Sequence, residues 1–234
     1  MRRLPAQAGG GRATGVKVLV EACVESLPAA VAAAAGGADR IELCTNLAAG
    51  GTSPDPATLA ACLSRLTIPV FVMVRPRGGD FHYSAAERAG MVEEIWQVKA
   101  AGWAAQGIVT GALRPDATVD ETLTRELIAA ARPLPITFHR AFDSCDDVEE
   151  ALETLIALGV TRVLTSGRAA TAPEGAATIA KLVRLAAGRI GIIAGGGVKA
   201  DNVAALVRTT GVREVHLSTK DADKIRRVVA ALNR

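Results

Sequence analysis

The chain has 234 residues, half of them hydrophobic and 22% charged, with a formal net charge of only +3. At this length most of the chain's surface can be buried without disulfide or metal staples, which suits one α/β barrel or two smaller domains. Aromatic residues make up 3% of the chain and no Lys/Arg stripe interleaves with them, so nucleic acid is excluded as an expected partner.

Residues 1–15 are basic but lack an apolar stretch, so they read as a disordered tail rather than a secretory signal. No apolar run is long enough to span a membrane. From residue 16 to 234 the pattern is one repeating alternation. Short β-branched runs read as strands at 17–23, 38–44, 70–76, 105–112, 136–142, 162–167, 189–196 and 214–219. Helical stretches separate them. Val148, Ala151, Leu152 and Leu155 form one apolar stripe, and so do Ile225, Val228, Val229 and Leu232. Caps are read at Ser53-Pro54-Asp55, Ser84, Asp120, Asp146 and Asp201, and glycine stops at 36–39, 100–102, 157–159 and 209–211. Eight strand–helix units with no linker predict a single (β/α)₈ barrel, with a doubly wound open sheet as the competing arrangement.

A barrel places chemistry at the carboxyl ends of its strands, and the polar residues concentrate there. Strand one ends in Glu21 and Cys23, strand two in Glu42 and Cys44, strand three in Arg75 and Arg77. Strand five ends in His139 and Arg140, of which a regular strand points one to the lumen. Strand six ends in Ser166 and Gly167, strand seven in Gly195, Gly196 and Gly197, and strand eight in His216 and Ser218. Glu21 and Glu42 are expected in the lumen, because a carboxylate facing the packed helices would need a buried partner. Cys23 and Cys44, two residues further on, share that face. Two readings of the thiols stay open: small buried residues in a tapered lumen, or a soft-metal pair for Cu(I). Cys62 reads as core, and Cys145 begins the fifth helix.

The glycine run, with Ser166, Gly167 and Ser218, predicts an anion cradle after strands six to eight. Arg75 and Arg77 add guanidiniums suited to oxyanions. Asp80 is expected to pair with Arg77, which leaves Arg75 as the free one.

The segments EACVES, GGADRIELC, GGTSP, IPVFVMVRPRGGDFHYS, GIVTGAL, PLPITFHRAFD, ALETLIALGVTRVLTSG, IAGGGV and VHLS follow one another in the order of the CutC family. The resemblance runs from Val16 to Ser218. It implies a TIM barrel, a cytoplasmic location, a part in copper homeostasis, and Cu(I) held by the thiols at Cys23 and Cys44. The chain departs from the family after strand eight, where HLSTK runs almost directly into the last helix.

The first expected function is therefore a cytoplasmic Cu(I)-binding protein of the copper-homeostasis type. The alternative is an enzyme acting on a small phosphorylated or carboxylated metabolite. It would use Glu21, Glu42, His139 and Arg140 for catalysis, with Arg75 beside them. A third reading is an interaction scaffold whose site has decayed. No organic cofactor is expected, no lysine stands at a strand end for Schiff-base chemistry, and the chain is expected to be a monomer or homodimer.

Overall fold

The computed structural model describes residues 17–100, 105–219 and 221–233. The expected tail, Gly102 and Lys220 lie outside these residues. Strands β1 (Leu19–Val24), β2 (Arg40–Leu43), β3 (Val70–Met73), β4 (Ala105–Thr110), β5 (Ile136–Phe138), β6 (Arg162–Thr165), β7 (Gly191–Gly195) and β8 (Glu214–Ser218) pair in parallel, in chain order. The β1–β8 pairing closes them into a barrel. Helices α1 (Leu27–Ala35), α2 (Pro56–Arg65), α3 (Ala85–Ala100), α4 (Glu121–Ala131), α5 (Val148–Leu158), α6 (Ala176–Ala186), α7 (Val203–Thr210) and α8 (Ala222–Leu232) alternate with the strands. The open-sheet alternative is excluded by this closure.

The helices start where local chemistry satisfies their free amides. Asp55, Asp120 and Asp147 each accept backbone N–H bonds at the heads of α2, α4 and α5. Ser84 and Glu87 cap each other's backbone N–H at the head of α3, a reciprocal capping box. The caps of α5 and α7 are Asp147 and Asn202, one residue later than the expected Asp146 and Asp201. Gly159 and Gly211 end α5 and α7 in the left-handed conformation.

Every strand is shorter than its apolar run suggested. The largest difference is at β5, which stops at Phe138. Residues Arg140–Ser144 turn into a 3₁₀ helix because the His139 side chain accepts the Ala141 N–H, which competes with the sheet ladder. The main core lies between sheet and helices. It takes in both predicted stripes, Cys62 and Cys145. A second, smaller cluster of Cys23, Cys44, Phe71, Met73 and Val109 fills the lumen.

The lower lumen carries charge. Arg40 bonds Glu21 and Glu214, each at 2.5 Å, and Arg162 lies 3.5 Å from Glu214. The Phe71 ring packs between the two guanidiniums, 4.7 Å from Arg40 and 4.8 Å from Arg162. Gly107 makes room for that ring: a Cβ there would meet Phe71 at 2.4 Å. This ionic plug closes the barrel from below and leaves the carboxyl ends of the strands as the open mouth. Only residues 219–221 separate β8 from α8, so the first turn of α8 reaches the mouth as well.

Candidate site at the barrel mouth

A cavity of about 550 Å³ occupies the carboxyl ends of the strands. Cys23 and Glu42 line it from β1 and β2, Arg75 and His139 from the ends of β3 and β5, and Gly196, Gly197, His216 and Ser218 from β7 and β8. Arg140 and Asp143 line it from the 3₁₀ helix, and Lys224 from α8.

Cys23 lines the cavity and meets Cys44 beneath it. Cys23 Sγ lies 3.3 Å from Cys44 Sγ, and both residues are buried. Parity brings them there, since neighbouring parallel strands present Glu21, Cys23, Glu42 and Cys44 to one face. Together with Glu42 they form a group whose ligand atoms all lie within 4.8 Å of one another. The contact with Cys44 raises the Cys23 thiol well above its ordinary pKa, and burial and the neighbouring Glu42 push the same way. The free protein therefore holds this thiol protonated.

Glu21 lies one step deeper and has no free oxygen. Oε1 meets His216 Nδ1 at 2.8 Å and Oε2 meets Arg40. Burial raises its pKa, but the His216 bond and the Arg40 charge outweigh this and hold it near 2. The same network lifts His216 above its ordinary value despite burial, through the Glu42 and Glu21 carboxylates. Glu21 thus serves as an internal counter-ion to Arg40 and His216. Glu42 differs: burial raises its pKa, and among the described residues Oε2 has no hydrogen-bond partner, with His216 Nδ1 at 3.9 Å.

Of His139 and Arg140, it is the histidine that is buried at the cavity wall. Its Nδ1 accepts the Ala141 N–H at 3.2 Å, and burial with the nearby Arg75 charge lowers its pKa to about 3. A neutral ring whose Nδ1 accepts must carry its proton on Nε2. That Nε2–H has no partner among the described residues. An unmet buried donor costs about 1–3 kcal/mol, a penalty kept only where something else is gained. ¹⁵N NMR of the imidazole is expected to show the Nε2–H tautomer unchanged from neutral pH down to about pH 4. A ring that gains a proton near its ordinary pKa would contradict this assignment.

The guanidiniums are placed differently from expectation. Arg77 is held by Glu87 at 2.6 Å and by the expected Asp80 at 3.0 Å, away from the cavity. Arg75 lines the cavity but is not free. Its Nη1 donates to the carbonyls of Ala49 and Gly51 and its Nη2 to that of Gly79, while its plane covers Phe81 at 4.8 Å. It ties the loop after β2 to the loop after β3, because buried carbonyls there need donors. Arg140, half-exposed at the rim, donates to Asp143 and Ser166 at 2.8 Å each.

The predicted anion cradle divides in two. The loop after β6 is already filled by a carboxylate of the chain itself. Asp143 accepts from the Ser166 N–H at 3.0 Å, the Ser166 hydroxyl at 3.0 Å, the Thr165 hydroxyl at 2.5 Å and the Arg168 N–H at 3.2 Å. Gly167 donates to Thr165 at 2.8 Å. Ser166 and Gly167 are therefore occupied, and Gly195 belongs to the β7 ladder. In the loop after β7, Gly196 and Gly197 take φ values of +97° and +70°, and among the described residues their N–H groups have no acceptor. Ser218 lines the same cavity, where its carbonyl accepts from Lys224 Nζ at 2.8 Å.

Four groups escaped the sequence reading: Arg40, Glu214, Asp143 and Lys224. For Arg40 a signal existed, since a charge on the lumen face of an apolar strand requires a counter-charge on a neighbour. For Asp143 and Lys224 there was none, because their roles depend on contacts across the fold.

The model of the CutC family matches residues 18–221. The human copper homeostasis protein cutC homolog is 48% identical over 202 residues, covering 86% of this chain and 73% of that one. A CutC family protein of Chromobacterium violaceum is 45% identical over 202 residues, covering 86% and 81%. The crystal structure of CutC from Streptococcus agalactiae superimposes with a TM-score of 0.80 at 35% identity, covering 86% of this chain and 98% of that one. The phosphoribosylanthranilate isomerase of Thermotoga maritima, at 15% identity and a TM-score of 0.61, shares the fold alone. With this barrel and a match over nearly its whole length, the chain belongs to the CutC family.

Proposed function

We propose that this protein binds Cu(I) through Cys23 and Cys44 as part of copper homeostasis in the cytoplasm. One observation carries the reading: two buried sulfurs 3.3 Å apart, one of them, Cys23, lining the cavity at the open end of the barrel. Soft thiolates select Cu(I). A structural zinc site asks for four ligands, whereas this group offers two thiols and one carboxylate. The names of the human and mouse relatives agree with a copper role. All four cysteines are free, which suits a reducing compartment, and no described helix is long and apolar enough to cross a membrane.

The test is anaerobic competition against a Cu(I) chelator. Losing outer partners of a metal site costs 10–100-fold, so a double Cys23→Ser, Cys44→Ser variant is expected to lose more than about 100-fold in affinity. Because the Cys23 thiol must shed its proton to bind, the parent's affinity is expected to rise by about tenfold per pH unit near neutrality. Parent-like affinity in the double variant overturns the reading.

A further inference from the structure

The thiol pair meets the cavity only through Cys23. Above it lie polar groups that copper does not explain. Gly196 and Gly197 line the cavity, and among the described residues their N–H groups have no hydrogen-bond acceptor. A Cβ at Gly196 would lie 3.6 Å from Arg140 Nη1, so the guanidinium stands beside these amides, and Nη1 makes no hydrogen bond of its own. Lys224 reaches the same rim from α8. Three more groups lack partners in the wall below among the described residues: the Nε2–H of His139, Oε2 of Glu42 and the Nε–H of Arg75, on residues that are 4%, 2% and 4% exposed.

We propose that this cavity is a binding site for a small phosphate ester whose carbon body carries a carbonyl and a hydroxyl group. The phosphate rests on the Gly196 and Gly197 amides between Arg140 and Lys224. The body reaches down the wall, its carbonyl oxygen accepting from His139 Nε2–H and its hydroxyl donating to Glu42 Oε2. Each part of the ligand meets a group the protein leaves unmet. Backbone amides on a glycine turn favour an oxyanion, and two nearby cations match a dianion better than a carboxylate's single charge. The loop after β6 cannot serve, because Asp143 already fills it. A neutral imidazole N–H suits a carbonyl oxygen, which it polarises without giving up its proton. The phosphate end stands apart from Cys23 and Cys44, and Glu42 is the one group this site shares with the thiol cluster.

The test uses the unmodified protein first. Inorganic phosphate, titrated at millimolar concentrations, is expected to shift the ¹H–¹⁵N resonances of Gly196 and Gly197. Dihydroxyacetone phosphate is expected to bind about tenfold more tightly than inorganic phosphate, because it adds the His139 and Glu42 bonds. Hydroxypyruvate, which keeps the carbonyl and the hydroxyl but carries a carboxylate in place of the phosphate, is expected to bind more weakly than either. A His139→Asn variant keeps a side-chain oxygen for the Ala141 N–H, since asparagine is a strong N-cap, but withdraws the Nε2 donor. It is expected to bind inorganic phosphate as the parent does and to lose the tenfold gain. The proposal is overturned if phosphate leaves both glycine amides unmoved. It is equally overturned if hydroxypyruvate binds best, or if His139→Asn keeps the preference for dihydroxyacetone phosphate.

Discussion

Replacing Glu21 by alanine is expected to lower the free energy of unfolding by about 3–5 kcal/mol, the cost of breaking a buried ion pair from one side. Glu21 is 1% exposed and neutralises two cationic neighbours, Arg40 and His216. Without it, Arg40 keeps Glu214 as its sole carboxylate partner and His216 loses its Nδ1 acceptor. Urea unfolding of the parent and the variant measures the effect. A loss below about 1 kcal/mol, the range of surface pairs, would show that water reaches the lumen and screens the network.

The same network sets the direction of the pH dependence. Glu21's folded pKa is depressed, so its contribution is complete above the ordinary carboxylate value of 4.5 and is lost as pH falls toward 2. His216's folded pKa is raised, so its contribution is complete below 6.5 and is lost as pH rises through the folded value. Stability is therefore greatest between these limits. In Glu21→Ala the acid limb contributed by this carboxylate disappears, and denaturation profiles of the two proteins converge at low pH.

The second large effect concerns Asp143. Asp143→Ala strips acceptors from the Ser166 and Arg168 amides, from two hydroxyls and from Arg140 at once. Each unmet buried donor costs about 1–3 kcal/mol, and water reaches the outer ones, so a total near 3 kcal/mol is expected. Asp143→Asn, which keeps one acceptor oxygen, is expected to lose less. Hydrogen exchange gives a local readout: the Ser166 and Arg168 amides exchange faster in Asp143→Ala, while amides of the opposite strands β1 and β2 do not. Unchanged exchange at Ser166 would mean that the loop after β6 holds its shape without the carboxylate.

The fold was legible because its signals are local. Eight β-branched runs, spaced by amphipathic stripes such as Val148, Ala151, Leu152 and Leu155, leave few arrangements other than a closed parallel barrel. The pairing of the thiols was legible too, because strand parity is a property of spacing alone. Strand ends were not. The run read as β5 continues to Phe142, yet one bond from the Ala141 N–H to the His139 ring turns the chain out of the sheet.

The candidate site divides along the same line. Residue types and their order along the strands determined that Glu21, Cys23, Glu42, Cys44 and His139 belong to one end of a barrel, since alternation assigns each side chain a face. Only the tertiary structure decided what each is free to do. It gave both oxygens of Glu21 to His216 and Arg40, and the donors of Arg75 to loop carbonyls. It also filled the loop after β6 with Asp143 and left His139 Nε2, Glu42 Oε2 and two glycine amides unmet. The physical reason is that a buried polar group is defined by its partners. Those partners come from strands and loops as far apart in sequence as Glu21 and His216, and no local pattern records them.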